Sequence, residues 1–407
     1  MFRLHRVAPL VFLAATAVAL TFVARPASTV PLYAARTGLM CQSCHFDPNG
    51  GGPRNEFGFN FAKNRHALTP EEAGDWKDLN LKNRVGDDFP LYFGVNQRFM
   101  LLGNKLETEN GLDRSGFWNM ENAIYATFQP HPKLTLVYNL EQAFGSNYQS
   151  RDAFALLGLG SSHYLKAGQF RVPFGLRMDD HTVATRNSFL DFQTGEAFLP
   201  FDPRNVDRGV ELGGTRGDFF GRASFTNGSS ITSNGPANDR RHPQAFAAKL
   251  GYAHAGYQGG LSFYDDWRWQ NTSTSTRAMR WGYYAMGHLG PLAAIGEIAA
   301  GTDAQTAGGA VARRNSLAGF IEADWAPHRA YNVRVRYDRL ELDRGSDDFA
   351  RAQNSYNRYA VEGEWVPVPF AELRWTFRVI DPVADDDGFG TVRESEKQGY
   401  LQLHVSY

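Results

Sequence analysis

From Phe89 to Tyr407 the chain alternates apolar and polar side chains with a period of two. Leu91, Phe93, Val95, Phe99 and Leu101 share one face of an extended strand, and Tyr92, Gly94, Asn96 and Arg98 share the other. Leu134, Leu136, Tyr138 and Leu140 oppose Thr135, Asn139 and Glu141 in the same way. Later segments repeat the habit: Tyr331, Val333, Val335 and Tyr337, then Leu373, Trp375, Phe377 and Val379, then Leu401, Leu403, Val405 and Tyr407. Strands are expected to start near 91, 117, 133, 152, 163, 208, 219, 244, 257, 278, 292, 316, 330, 355, 370 and 397. Segments of about ten residues with an apolar outer face predict an all-β fold, a transmembrane antiparallel barrel of about 16 strands. A soluble sandwich is the alternative. It would seldom carry Arg, Glu and Asp on the second face of so many long strands.

The connections alternate in length. Gln129–Pro132, Arg216–Asp218, Ala326–His328 and Val366–Val368 read as short turns, whereas longer loops fall near 103–116, 172–207, 228–243, 303–315, 343–354 and 381–396. Short turns of such barrels face the periplasm and long loops face outside, so the first strand starts on the periplasmic side. The polar face collects charge of both signs: Arg98, Glu322, Asp324, Arg334, Arg336, Glu362, Glu364, Glu372, Arg374 and Arg378. A wet lumen laced with ion pairs accounts for this, and so does a lumen that grips a plug or passes anions.

Composition agrees with a strand-rich chain. Aromatic residues reach 14%, there are 41 glycines, and mean hydropathy is −0.41. A formal charge of −1 and no interleaved basic patch exclude nucleic acid as the partner. Arg3, His5 and Arg6, the apolar run Val7–Ala24 and the polar Arg25–Thr29 read as an export signal over 1–29. An uncleaved inner-membrane helix is the alternative reading of that run.

The candidate chemistry sits in Cys41-Gln42-Ser43-Cys44-His45, which contains the chain's only two cysteines. Two thiols three positions apart can each form a thioether to one haem, and the adjacent imidazole can reach its iron. Cys41 and Cys44 are thus candidate covalent attachment points for one haem c per chain, with His45 as proximal ligand. A disulfide or redox pair is the competing use of the thiols. His66, the other histidine between residues 30 and 66, is a candidate second axial ligand, because open iron sites are less common in electron carriers. Met40 abuts Cys41 and is badly placed for the opposite face.

Residues 30–66 form the expected haem module, 67–89 a linker, and 90–407 the barrel. The turn Phe46–Pro53, with three glycines, reads as backbone passing close to the haem edge. Asn55–His66 reads as a short helix with Phe57 and Phe61 on one face for packing on the porphyrin, and Thr69 as a cap for a second helical start. Some forty residues cannot bury a core alone, so this α/loop module is expected to plug or abut the lumen.

Two resemblances follow from these residues. Gly168–Leu176, with Arg204, Arg208, Gly209 and Val210 beyond it, resembles the phosphate-selective porins, in which a Gly-x-Phe-x-x-Pro-Phe-Gly stretch ends a strand and enters a long loop. Pro31–Gly38, Cys41–His45, Asn55, Phe57 and Gly58 resemble the outer-membrane cytochrome–porin fusions, whose ferrous-iron-oxidising members pass electrons to periplasmic carriers. The chain departs from that group at Asn49–Arg54. The second resemblance implies an outer-membrane electron-transfer protein with an extracellular donor and a periplasmic cytochrome as partners, or an Fe(II):cytochrome c oxidoreductase if iron is the donor. The first implies an anion-selective transport porin with a non-essential or regulatory haem. Asp179, Asp180, Asp191, Glu196 and Asp202, with His181 among them and Asp347-Asp348 and Asp385–Asp387 on other loops, read as loop-borne ligands, oxygen from the carboxylates, for divalent ions or as solvated turns.

Overall fold

The computed structural model describes residues 31–69, 71–86, 89–106, 114–143, 147–176, 183–186, 188–191, 195–198, 206–228, 245–271, 274–307, 310–341, 344, 355–383 and 395–407. The expected signal segment and most of the acidic loop residues lie outside them.

Eighteen strands follow in chain order among these residues. They are β1 (Leu91–Leu106), β2 (Arg114–His131), β3 (Leu134–Ala143), β4 (Gln149–Leu159), β5 (His163–Arg171), β6 (Ser188–Asp191), β7 (Gly195–Phe198), β8 (Val206–Arg216) and β9 (Phe219–Thr226). The second half adds β10 (Ala245–His254), β11 (Tyr257–Asn271), β12 (Thr274–Leu289), β13 (Leu292–Ala307), β14 (Ala310–His328), β15 (Tyr331–Glu341), β16 (Ser355–Val368), β17 (Ala371–Pro382) and β18 (Glu396–Ser406). All but β6 and β7 pair with sequential neighbours into one closed antiparallel barrel, and β1 closes it on β18 with Asn96 opposite Ser406. Closure leaves no open sheet edge, which a hydrocarbon environment requires.

The alternation read from the sequence is the inside–outside alternation of the wall. Phe93, Val95, Phe99, Leu101, Val333, Val335, Trp375, Phe377, Leu401 and Leu403 are exposed on the outer surface. Asn96, Arg98, Glu322, Asp324, Arg336, Glu362, Glu364, Glu372, Arg374 and Arg378 are buried. An apolar exterior around a charged, buried interior inverts the rule for a water-soluble domain and suits a lipid-embedded wall.

Two differences from the sequence reading concern strand ends. The expected loop near 303–315 is mostly ladder, because β13 and β14 stay paired out to Ala307 and Ala310. Small and polar residues there carry no apolar period, so the strands were not legible from the sequence pattern. The turns expected at Ala326–His328 and Val366–Val368 are instead bulged strand ends, with register shifts at Trp325/His328 and Trp365/Val368. A third shift spans Phe128/His131. Each contains a proline, and a bulge tolerates the missing N–H. The residue before each proline donates its N–H to a neighbouring connection: Gln129 to Pro90 O, Ala326 to Pro291 O, and Val366 to Ala330 O.

Replacing outward Val335 by Arg puts a charge against lipid and is expected to cost about 2–4 kcal/mol if the site lies near the bilayer midplane. Denaturant unfolding in lipid vesicles measures this, and a change below about 0.5 kcal/mol would mean that this face does not meet hydrocarbon.

Candidate functional site

Cys41–Ser43 forms one 3-10 turn, and the N–H groups of Cys44 and His45 both donate to Cys41 O, at 3.2 and 3.1 Å. A helical turn brings residues three apart to the same side, so the two thiols face together and His45 follows at once. Asn55 holds this turn. Its N–H donates to Cys44 O (2.9 Å), its side chain donates to Ser43 O (3.0 Å), and its Oδ1 accepts from Gly58 N (3.0 Å). The chain's first described helix is α1 (Pro31–Thr37), and the last of these bonds caps the next, α2 (Glu56–Lys63).

Two glycines let other backbone close on the thiol-bearing turn. A Cβ on Gly58 would lie 2.2 Å from Cys44 O, so α2 can seat on the motif only with glycine there. Gly50 has φ +86°, and a Cβ on it would lie 2.9 Å from Cys41 Cβ and 3.1 Å from Sγ. Paired thiols on one turn and an adjacent imidazole are the donor set a covalently attached haem needs. Cys41, Cys44 and His45 are the residues that would hold it.

Inward-facing wall side chains bond to the residues on either side of the motif. Arg36 makes a two-pronged bond to Asp324, Nε to Oδ2 at 2.5 Å and a terminal nitrogen to Oδ1 at 3.0 Å. Tyr33 OH donates to Glu364 (3.2 Å) and Glu372 (3.3 Å). Beyond the motif, Asp47 meets Lys166 at 3.1 Å, and Lys166 also reaches Glu211 at 3.0 Å. Asn49 donates to Glu211 (2.9 Å) and accepts from Arg222 (2.9 Å), which also donates to Pro48 O (2.6 Å). The glycine turn therefore does two jobs: Gly50 crosses over Cys41 while Asp47–Asn49 anchor to the wall. Arg54 donates to Ser406 O (2.6 Å) and Arg65 to Val366 O (2.6 Å). Phe59 packs on Phe370 and Tyr407 at ring separations of 5.0 and 5.1 Å.

Phe57 is 43% exposed, whereas Phe59 and Phe61 are buried. The helix contacts the wall on one side and α1 on another, so a single stripe does not describe it. Thr69 behaves as expected: Glu72 N–H donates to its hydroxyl at 3.4 Å, and Glu72 accepts from Leu68 N–H at 3.1 Å.

The long connection after β5 corrects the expectation that every long loop faces outside. Its described parts turn into the lumen. Leu176 N–H donates to Glu297 (2.9 Å), Gly175 N–H to Ser262 (2.9 Å), Lys249 to Gly175 O (2.6 Å), and Ala184 N–H to Asp338 (3.0 Å). Val172, Phe174, Leu176, Val183 and Ala184 are apolar and buried, and water would not reward their exposure. Leu176 and Val183 share one core with Leu32, Ala34 and Ala35 of α1 and with Tyr284 and Phe320 of the wall. Module and inward loop thus meet across the lumen.

Of the sequence-predicted site residues, Cys41, Cys44 and His45 share one turn. His66 lies in a different setting. Its ring stacks on Phe61 (5.2 Å) and packs on Tyr33 (4.2 Å), and its Nε2 faces Glu372 Oε1 at 3.6 Å. Burial pushes its pKa down to about 4 against the opposing pull of Glu372, so it is neutral at pH 7. Burial, then Glu364 and Glu372, raise the Tyr33 hydroxyl well above its usual range and keep it a donor. Tyr33, Arg36, Asp47 and Asn49 were not singled out from the sequence. Their only signal was the presence of charged and amide groups in a leader too short to have its own polar surface.

No family model and no curated protein matches the chain. Solved structures do match in fold. An anion-selective porin from Comamonas acidovorans aligns with TM-score 0.57 at 9% identity, over 78% of this chain and 99% of that one. The outer membrane channel DcaP of Acinetobacter baumannii gives 0.54 at 10% identity, over 80% and 100%. OmpF of Salmonella typhi, in complex with daunomycin, gives 0.53 at 10% identity, over 79% and 99%. The class defined by fold is therefore the porin-like outer-membrane barrel.

Asp324→Asn leaves Arg36 facing an amide and is expected to weaken docking of the module by about 3 kcal/mol. Single-channel recording checks this: conductance should rise, and an unchanged trace would contradict the plugging role. Docking should also weaken with acid. His66 is neutral in the docked state and has its ordinary value of 6.5 when released, so the released state binds more protons below that value. Docking is full above pH 6.5 and falls progressively toward pH 4, with His66 contributing about 3 kcal/mol over that window. Conductance against pH reads this, and His66→Ala should flatten the slope.

Proposed function

We propose that this chain is an outer-membrane electron-transfer protein carrying one haem c, bound through Cys41 and Cys44 with His45 as axial ligand. The observation that carries the reading is a Cys-x-x-Cys-His turn whose neighbouring residues bond to the inward face of a barrel with an apolar exterior. The bound haem supplies one-electron redox chemistry at its iron. The protein's own residues do the rest. Asn55 and Gly58 shape the turn, and Arg36, Tyr33, Asp47 and Asn49 fix it to the wall. The inward loop packs against α1. His66 is the module's other candidate for the iron; use of its Nε2 would require it to leave Glu372.

A hydrocarbon layer about 25 Å thick is long for one carrier, and a pigment held within the lumen shortens each step. The partners this reading requires are an extracellular donor, ferrous iron among the candidates, and a periplasmic electron-carrier cytochrome. With ferrous iron as donor the chain acts as an Fe(II):cytochrome c oxidoreductase.

A second reading, an anion-selective transport porin whose haem is non-essential or regulatory, is favoured by the likeness to the Comamonas porin and by the lumen arginines. The arginines weigh less than their number suggests, because Arg334, Arg336 and Arg374 are each paired with glutamates.

The purified protein is expected to show haem absorbance and to keep a peroxidase-active band on denaturing gels. Cys41→Ser with Cys44→Ser should remove both. Ferrous iron supplied outside intact cells should reduce the pigment within the mixing time. A colourless preparation that conducts anions would decide for the transport reading.

A further inference from the structure

Four buried charged side chains gather just beyond the Cys41–His45 turn: Asp47 of the module, Lys166 of β5, Glu211 of β8 and Arg222 of β9. Lys166 is held between two carboxylates, 3.1 Å from Asp47 and 3.0 Å from Glu211. Glu211 also accepts from the Tyr164 hydroxyl at 2.8 Å. Arg222 is bonded differently. Its terminal nitrogens donate to Pro48 O at 2.6 Å and to Asn49 Oδ1 at 2.9 Å, two neutral acceptors. Arg36, Arg334, Arg336 and Arg374 each bond a carboxylate, whereas among the described residues Arg222 bonds none. The Asn49 amide stands between the two wall charges, with Nδ2 on Glu211 and Oδ1 on Arg222.

The turn that Arg222 holds places it relative to the thiols. Pro48 and Asn49 lead directly into Gly50, and a Cβ on Gly50 would lie 3.1 Å from Cys41 Sγ. The guanidinium is within electrostatic reach of Cys41 itself. Its carbon lies 5.2 Å from the centre of the Phe220 ring, which belongs to the core shared with α1.

A buried cation with no carboxylate against it acts over a longer range than a paired one, because little water screens it. Burying two cations and two carboxylates is costly, and neutral groups of similar shape could anchor the turn as well. The four charges cancel in sum. Loss of Arg222 leaves one negative charge beside the motif, and loss of Glu211 leaves one positive charge.

We propose that Arg222 sets the reduction potential of the haem carried by Cys41 and Cys44, raising it against the opposing charge of Glu211. This rests on the haem reading above. Reduction adds one electron, taken from the extracellular donor of that reading, and moves no atom. A fixed cation favours the state with the added negative charge, and a fixed carboxylate disfavours it. The arrangement thus suits acceptance of an electron from a weakly reducing donor.

The test is a redox titration of the full chain purified from outer membranes, followed by its visible bands. Arg222→Gln should weaken the hold on the added electron about tenfold, a midpoint lower by about 59 mV for a one-electron couple. Glu211→Gln should move the midpoint upward. Arg222→Lys keeps the charge but loses the planar fork, and should stay near the native midpoint. A shift as large in Arg222→Lys as in Arg222→Gln assigns Arg222 to anchoring the turn alone and overturns the inference. An unmoved midpoint in Arg222→Gln, or a shift in Glu211→Gln that is not upward, overturns it too. Heat-modifiable mobility on gels reports barrel assembly for each variant, and if Arg222→Gln does not assemble, the sign of the shift in Glu211→Gln decides. A colourless native protein overturns the haem reading and this inference with it, whereas a coloured one with unmoved midpoints overturns this inference alone.

Discussion

A short leader of opposite charges, locked into a charged lumen, is the constraint on which the rest of this molecule depends. The leader is too small to bury a core of its own. Its apolar residues instead complete clusters begun by the wall and the inward loop, and its charged residues meet wall partners. Arg36 with Asp324 and Asp47 with Lys166 hold opposite ends of the motif's segment. Inside a lumen shielded from bulk water such pairs are strong when intact and costly when one partner is lost. That asymmetry turns a loose leader into a positioned one.

The barrel makes this possible by separating two environments along every strand. Outward positions satisfy lipid, and inward positions are free to carry charge. The solved porins that share the fold use it around solute channels, in the case of the Comamonas protein an anion-selective one. Here the inward charges are largely spent on one another and on the leader: Arg336 bridges Glu322 and Glu362, and Arg374 bridges Glu364 and Glu372. In this chain the lumen charges thus serve attachment of the leader.

How much of this was legible in the sequence differs by element. Barrel strands were, because period two follows directly from one face in lipid and one in the lumen; the start expected near 257 falls at Tyr257 and that expected near 397 at Glu396. The Cys41–His45 turn was legible because its chemistry is local. The short helix α1 was not, since Leu32, Tyr33, Ala34 and Ala35 are buried all round and show no amphipathic period. The inward turn of the connection after β5 was also hidden. Its Pro-Phe-Gly run looks like any loop entry until Glu297, Ser262 and Lys249 on the facing strands supply partners. The hairpin β6–β7 went unseen because two four-residue strands carry too little pattern. Tertiary pairing between a leader and strands hundreds of residues later leaves no periodic trace.

The most direct test of the central claim is the mass of the tryptic peptide from Thr37 to Arg54, which contains both thiols and His45. Isolated from the denatured protein, it should be heavier than its amino acids by one haem and should absorb visible light. A peptide with the mass of two thiols or of a disulfide would contradict the account.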